Sequence, residues 1–201
     1  TTWTRSVPCS QYMISEDFMT RKLYLYDRGY ACNKSELLHF EAKDEELSIK
    51  ALSFDQMGEV LSLQDAVMAE IQDKKLLFPL SRAELMESLQ VDHVSGAYNK
   101  DGELIAYCVL VKNRCGDRNL AADFGAKPEE SITFDIIAVD PKWRGYGLQQ
   151  RFIEWSIDLA KDLGVKYIHA TVDPDNIHSG RNFEKNGFVI KKTATKYGGL
   201  V

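Results

Sequence analysis

Four cysteines are present, Cys9, Cys32, Cys108 and Cys115, and no two of them form a Cys-x-x-Cys pair. None of the four histidines stands at metal-ligand spacing from them, so the sequence offers neither a zinc knuckle nor a dithiol centre. Free thiols in a reducing, cytoplasmic setting are the expectation, with no metal. No apolar run approaches the roughly 18 residues that cross a bilayer, and the polar first residues lack a secretory hydrophobic stretch, so no membrane partner is expected. A basic excess is also missing. Twenty-five Lys and Arg against 30 Asp and Glu give a net charge of −5, which excludes a general nucleic-acid binder and suits cationic partners such as amines.

What is present suffices for a full core: 201 residues, 44% of them hydrophobic, most simply read as one domain with an extension. The most informative stretch is 131–148, SITFDIIAVDPKWRGYGL. Ile132, Phe134, Ile136 and Ala138 alternate with Thr133, Asp135, Ile137 and Val139, the pattern of a strand with one wholly apolar face. Pro141 ends the strand. Gly145 and Gly147 then precede Leu148, Phe152, Trp155, Leu159 and Leu163, one face of a helix. A strand that turns through glycines into a helix leaves backbone N–H groups and a positive dipole end exposed, and Lys142 and Arg144 add charge there. The turn reads either as an anion site or as a plain tight turn.

Before it, residues 47–52 alternate as a strand, Asp55 is placed to cap a helix carrying Met57, Val60, Leu61, Val67, Met68 and Ile71, and Ser81 to Glu84 form a capping box for a second helix. Strands at about 94–99 and 103–112 flank an Asn-Lys-Asp-Gly turn. The long polar loop 113–130 reads as a wall of an acceptor site or as a surface insertion. After the central helix, 165–172 reads as a strand, 177–186 as a short helix and 188–190 as the start of another strand. Residues 1–45 hold scattered aromatics, with short strands expected at 23–26 and 37–40 about an Asp27-Arg28-Gly29 turn. They read as a hairpin packed on the domain or as a subunit contact, which leaves a homodimer open.

This order of elements, with V-D-P-K-W-R-G-Y-G-L at its centre and N-x-x-S-x-x-x-F-x-x-x-G-F near its end, resembles the GNAT superfamily of acyl-CoA N-acyltransferases over residues 46–201. The resemblance implies an α/β (α+β) fold, a mixed and mostly antiparallel central sheet with a splayed parallel strand pair, flanked by helices. It implies acetyl-CoA as cosubstrate, its pyrophosphate on the backbone of Trp143, Arg144, Gly145, Tyr146, Gly147 and Leu148 beside Lys142. The pantetheine arm would pair with Ile137 and Val139. Asn176 and Ser179 match a second cofactor contact, and Phe183 stands where many relatives carry a tyrosine acid. Most relatives also continue into a further strand beyond the last one here, so that strand is short, missing, or borrowed from residues 1–45.

The expected activity is direct transfer of an acetyl group to a primary amine of a small molecule or peptide. Such an amine must lose a proton before it attacks, and Asp135 on the central strand either takes that proton or orients the cationic acceptor. Glu129 and Glu130 read as solvated loop charges, and His169 as a satisfied strand residue. The rival reading is a non-catalytic acyl-CoA-binding sensor or regulatory module, which Phe183 in place of tyrosine would suit. A P-loop nucleotidase is disfavoured because no Gly-Lys-Ser/Thr follows the glycines.

Overall fold

The computed structural model describes residues 7–13, 38–43, 45–72, 76–112 and 120–196. The strand expected at 23–26, the Asp27 turn and the first part of the 113–130 loop lie outside them, whereas the strand expected at 37–40 is found at Leu38–Ala42, antiparallel to Glu45–Ala51. In chain order the elements are β1 (Val7–Met13), β2 (Leu38–Ala42), β3 (Glu45–Ala51), α1 (Met57–Glu70), α2 (Arg82–Val91), β4 (His93–Tyr98), β5 (Leu104–Lys112), β6 (Ser131–Val139), α3 (Leu148–Asp162), β7 (Tyr167–Val172), α4 (Ile177–Lys185) and β8 (Val189–Lys196).

Among the described residues these strands form one eight-stranded sheet, ordered β2-β3-β4-β5-β6-β7-β1-β8. Every neighbouring pair is antiparallel except β6 and β7, which run parallel. A parallel pair needs a crossover, and α3 supplies it. Its Leu148, Phe152, Ile153 and Ile157 bury one face of the sheet together with Leu110, Ile132, Phe134 and Ile168. The opposite face is covered by Val60, Leu63 and Val67 of α1 and Leu85 of α2, against Tyr107, Val109, Ile136 and Ala138.

The last strand is completed by one of the three expected routes, a strand borrowed from residues 1–45. Residues 7–13 lie between β7 and β8, antiparallel to both, so the strand wanting after β8 is lent by the start of the chain. The first helix begins differently. A 3-10 turn at Phe54–Gln56 precedes α1, and Ser53 rather than Asp55 makes the reciprocal contact, its N–H donating to Gln56 Oε1 at 3.0 Å. Ser81 caps α2 as expected: its hydroxyl accepts from Glu84 N–H at 3.2 Å and its own N–H donates to the Glu84 carboxylate at 2.8 Å.

One buried side chain ties the α1 and α2 side to the sheet. Gln64 Nε2 donates to the Leu80 carbonyl at 2.9 Å, while its Oε1 accepts from Leu80 N–H at 2.8 Å and from the Tyr107 hydroxyl at 2.8 Å. Gln64→Leu would strand three buried polar groups, each costing about 1–3 kcal/mol. We expect a lower urea midpoint at unchanged slope, with a loss of about 2–4 kcal/mol.

Candidate active site

Strand β6 carries one residue too many for its partner. Val109 pairs with Ile136 and Leu110 with Phe134, so Asp135 is the extra residue of a β-bulge. The insertion reverses the alternation along the strand. Ile132 and Phe134 join the α3-side cluster, whereas beyond the bulge it is Ile137 and Val139 that pack there, and Ile136 and Ala138 turn to the α1 side. The regular alternation expected from the sequence, which put Asp135 on one face with Ile137 and Val139, therefore breaks at Asp135 itself.

The parallel pairing ends at the same place. Its register runs from Ser131 opposite Tyr167 to Phe134 opposite Ala170, although β6 continues to Val139 and β7 to Val172. Past Phe134 the two strands part, and among the described residues no strand lies beside the β7-facing edge of residues 135–139. On its other edge β6 stays paired with β5, Ile137 opposite Cys108 and Val139 opposite Ala106. The result is a wedge with an open strand edge, shaped to accept an extended ligand as an added strand.

The turn at the mouth of the wedge is built around Asp140, whose carboxylate accepts from Lys142 N–H at 2.8 Å and whose carbonyl accepts from Trp143 N–H at 2.8 Å. Arg144 N–H makes a long bond of 3.4 Å to the Pro141 carbonyl. From Gly145 to Gln150 no N–H donates to a described backbone carbonyl, and α3 starts at Leu148 with Gly147 as its N-cap. Gly145 and Gly147 have φ of 79° and 75°, the left-handed region that glycine occupies without penalty. A Cβ placed on Gly147 would meet nothing within 4 Å. The open run of donors is thus Gly145–Leu148 and the first turn of α3, whereas Trp143 N–H is already spent within the turn. Tyr146 packs on Trp143, ring centroids 5.0 Å apart, and Lys142 and Arg144 are exposed beside them.

Asn176 and Ser179 serve the start of α4. Asn176 Oδ1 accepts from Ser179 N–H at 3.2 Å, and Ser179 Oγ accepts from Gln149 Nε2 at 2.7 Å. Asn182 donates to Gln149 Oε1 at 2.8 Å, and Gln150 to Asn186 Oδ1 at 3.0 Å, so a ladder of amides lashes α4 to the first turn of α3. Gln149 and Gln150 had no sequence signal beyond following the glycines. Phe183 is 3% exposed and packs edge-on to Phe134 at 5.2 Å and to Phe188 at 5.0 Å.

Asp135 is half-buried. Burial first, and the Asp135 charge second, push both the Tyr107 hydroxyl and the Cys108 thiol well above their ordinary values. The segment after residue 119 folds over this region: Leu120 N–H donates to Thr133 Oγ1 at 3.2 Å, and the Phe124 ring stacks on His169 at 4.4 Å. Glu130 is engaged with Lys166, its carboxylate 2.9 Å from Nζ, which lowers its pKa. His169, by contrast, is not the satisfied residue that its strand position suggested. It is fully buried, and among the described residues neither ring nitrogen has a hydrogen-bond partner. Burial pulls its pKa down to about 4, against a smaller upward pull from Asp123.

Residues 65–188 match the acetyltransferase (GNAT) family. The chain belongs to that family. Solved GNAT structures share the fold. The GNAT domain of S. lividans PAT superposes with a TM-score of 0.64 at 16% identity, over 84% of this chain and 98% of that one. A GNAT acetyltransferase from Listeria monocytogenes gives 0.63 at 13% identity, over 79% and 98%. Among curated proteins, mycothiol acetyltransferase of Nocardiopsis dassonvillei is 32% identical over 62 residues, which is 31% of this chain and 19% of that protein. This chain thus matches about a fifth of that curated relative's length. GNAT proteins are acyltransferases, so the sequence resemblance held, and the mixed sheet with its parting parallel pair is the expected one. Among the described residues no helix is long and apolar enough to cross a membrane.

His169 allows a test of this GNAT core that needs no ligand. A histidine held neutral when folded takes up a proton on unfolding, so its contribution to stability is complete above pH 6.5 and lost as pH falls toward 4. Between pH 7 and 5 the wild type should lose about 2 kcal/mol more than His169→Phe, measured by urea titration at each pH.

Proposed function

We propose that the chain transfers an acetyl group from acetyl-CoA directly to a primary amine of a small molecule or peptide. The observation that carries this reading is the coincidence at one strand end: β6 and β7 part at Phe134, and the open edge leads to the glycine turn with its unpaired donors. The residues present fit the cosubstrate. A phosphate has room over Gly147, where even a methyl group would meet nothing, and the N–H groups of Gly145 to Leu148 with Arg144 and Lys142 match its charge. Trp143 contributes its ring rather than its N–H. The edge of Ile137 and Val139 suits the amides of a pantetheine arm.

Acetyl-CoA supplies an activated thioester; the protein's part is position and proton handling. The amine nitrogen bonds to the acyl carbon, the carbon–sulfur bond breaks, the nitrogen gives up a proton and the departing sulfur takes one. Asp135, at the bulge where the wedge begins, receives the proton or holds the ammonium group of the acceptor. Asn176 and Ser179 act through α4, whose cap and amide ladder hold it beside the turn. Phe183 has no hydroxyl and lies among rings, so it stiffens that wall and gives no proton; water or the acceptor's own ammonium protonates the sulfur, whose ordinary pKa near 8.5 makes this inexpensive.

Thiol release from acetyl-CoA over a panel of amines and peptides tests the activity. Tight binding without turnover on the whole panel would favour the sensor reading, which Phe183 in place of a tyrosine acid supports. Two variants probe the parts. Gly147→Ala should fold at a cost of about 1 kcal/mol for the left-handed backbone, yet bind acetyl-CoA at least roughly tenfold more weakly, because its methyl occupies the phosphate's room. Unchanged affinity in calorimetry would sink the turn as pyrophosphate seat. Asp135→Asn should lower kcat roughly 100-fold or more while leaving acetyl-CoA affinity within about twofold. A variant that kept kcat and lost only acceptor affinity would make Asp135 a binding residue.

A further inference from the structure

The glycine turn carries a cation that comes from outside the family match. Lys43 follows β2 in the hairpin with β3, at a φ of 51° that only about a few per cent of non-glycine residues adopt. Its ammonium lies 4.5 Å from the centre of the Tyr146 ring and 3.3 Å from where a Cβ on Gly145 would stand. An oxyanion resting on the open donors beginning at Gly145 would meet it at ion-pair distance. Among the described residues no carboxylate pairs with Lys43, and the nearby Asp140 carboxylate is occupied by Lys142 N–H. The hairpin is held in place independently, since the Arg151 guanidinium of α3 lies over the Phe40 ring at 5.3 Å and Phe40 packs on the core. Among the described residues, the partner of this lysine is an aromatic face.

Resting on the proposed cosubstrate, we infer that the β2–β3 hairpin is part of the cofactor site, with Lys43 binding the pyrophosphate on the glycine turn. Lys142 and Arg144 stand exposed in the turn itself, and Arg151 belongs to α3, paired with Glu154 at 3.1 Å. Lys43 differs from the other three in reaching the turn from a separate element, so it clamps the phosphate between two parts of the chain. Tyr146 holds the ammonium by cation–π attraction, which limits the rotamer freedom lost on binding.

Calorimetry on the full chain tests this with acetyl-CoA and with its 3′-dephospho analogue, against wild type, Lys43→Met, Lys43→Arg and Lys100→Met. Lys100 sits on another hairpin turn, paired with Glu45 at 3.6 Å, and serves as the charge control. Lys43→Met should weaken both ligands roughly three- to tenfold and by the same factor, Lys43→Arg should recover most of the loss, and Lys100→Met should match wild type. Equal affinity of Lys43→Met and wild type overturns the inference and leaves the proposed function standing. A loss confined to the ligand with the 3′-phosphate overturns the pyrophosphate assignment, as does an equal loss in Lys100→Met. A wild type that binds neither ligand overturns the proposed function and this inference with it.

Discussion

A strand inside a sheet must satisfy hydrogen bonds on both edges, and β6 meets that demand on one edge only. Its β5 edge is paired from Ile132 to Val139, while its β7 edge is paired only as far as Phe134. An open edge in the middle of a sheet is ordinarily a cost, because unpaired backbone groups that lose water are expensive. The bulge at Asp135 lets the chain bear it. One added residue bends β6 and swaps its faces, so that Ile137 and Val139 reach the α3 side while Ile136 and Ala138 fill the α1 side. The strand parts from its neighbour without leaving a hole in either core.

The same strand delivers the electrostatics. It ends at Asp140, and the turn there uses up the early N–H groups and leaves those from Gly145 onward pointing outward. In a chain of net charge −5, the cations gathered at that turn make a local positive field that the remaining surface does not cancel. Amide pairs from Gln149 and Gln150 to α4 fix the first turn of α3, so the donors are aimed before any ligand arrives. Rigidity of this kind lowers what must be ordered on binding.

Much of this was legible because it rests on local signals. Pro141, the two glycines and the spacing from Leu148 to Leu163 identified strand, turn and helix, and the Ser81 box and the Asp-Gly turn marked their elements. What escaped the sequence is set by pairing at a distance. Period-two alternation cannot register a bulge, which exists only relative to β5, so the break at Asp135 was not legible. Ser53 displaced Asp55 because a 3-10 turn inserted ahead of α1. His169 looked like any alternating strand residue, and only the stacking of Phe124 from a distant loop seals it off with both nitrogens unpaired among the described residues. Lys43 lay in a segment without a motif, and its place over the turn follows from the packing of Phe40 and Arg151.

The position of β1 between β7 and β8 has a kinetic consequence. Tyr167 follows Val7 by 160 residues, so β1 meets both of its partners only when nearly all of the described chain exists. At about 5–20 residues per second, synthesis leaves that strand without neighbours for roughly 8–30 s. The β4–β5 hairpin and the β5–β6 pair can form well before then, since their contacts are closer in sequence. The middle of the sheet is thus free to form first, leaving β1 to join β7 and β8 afterwards beside the wall of the wedge.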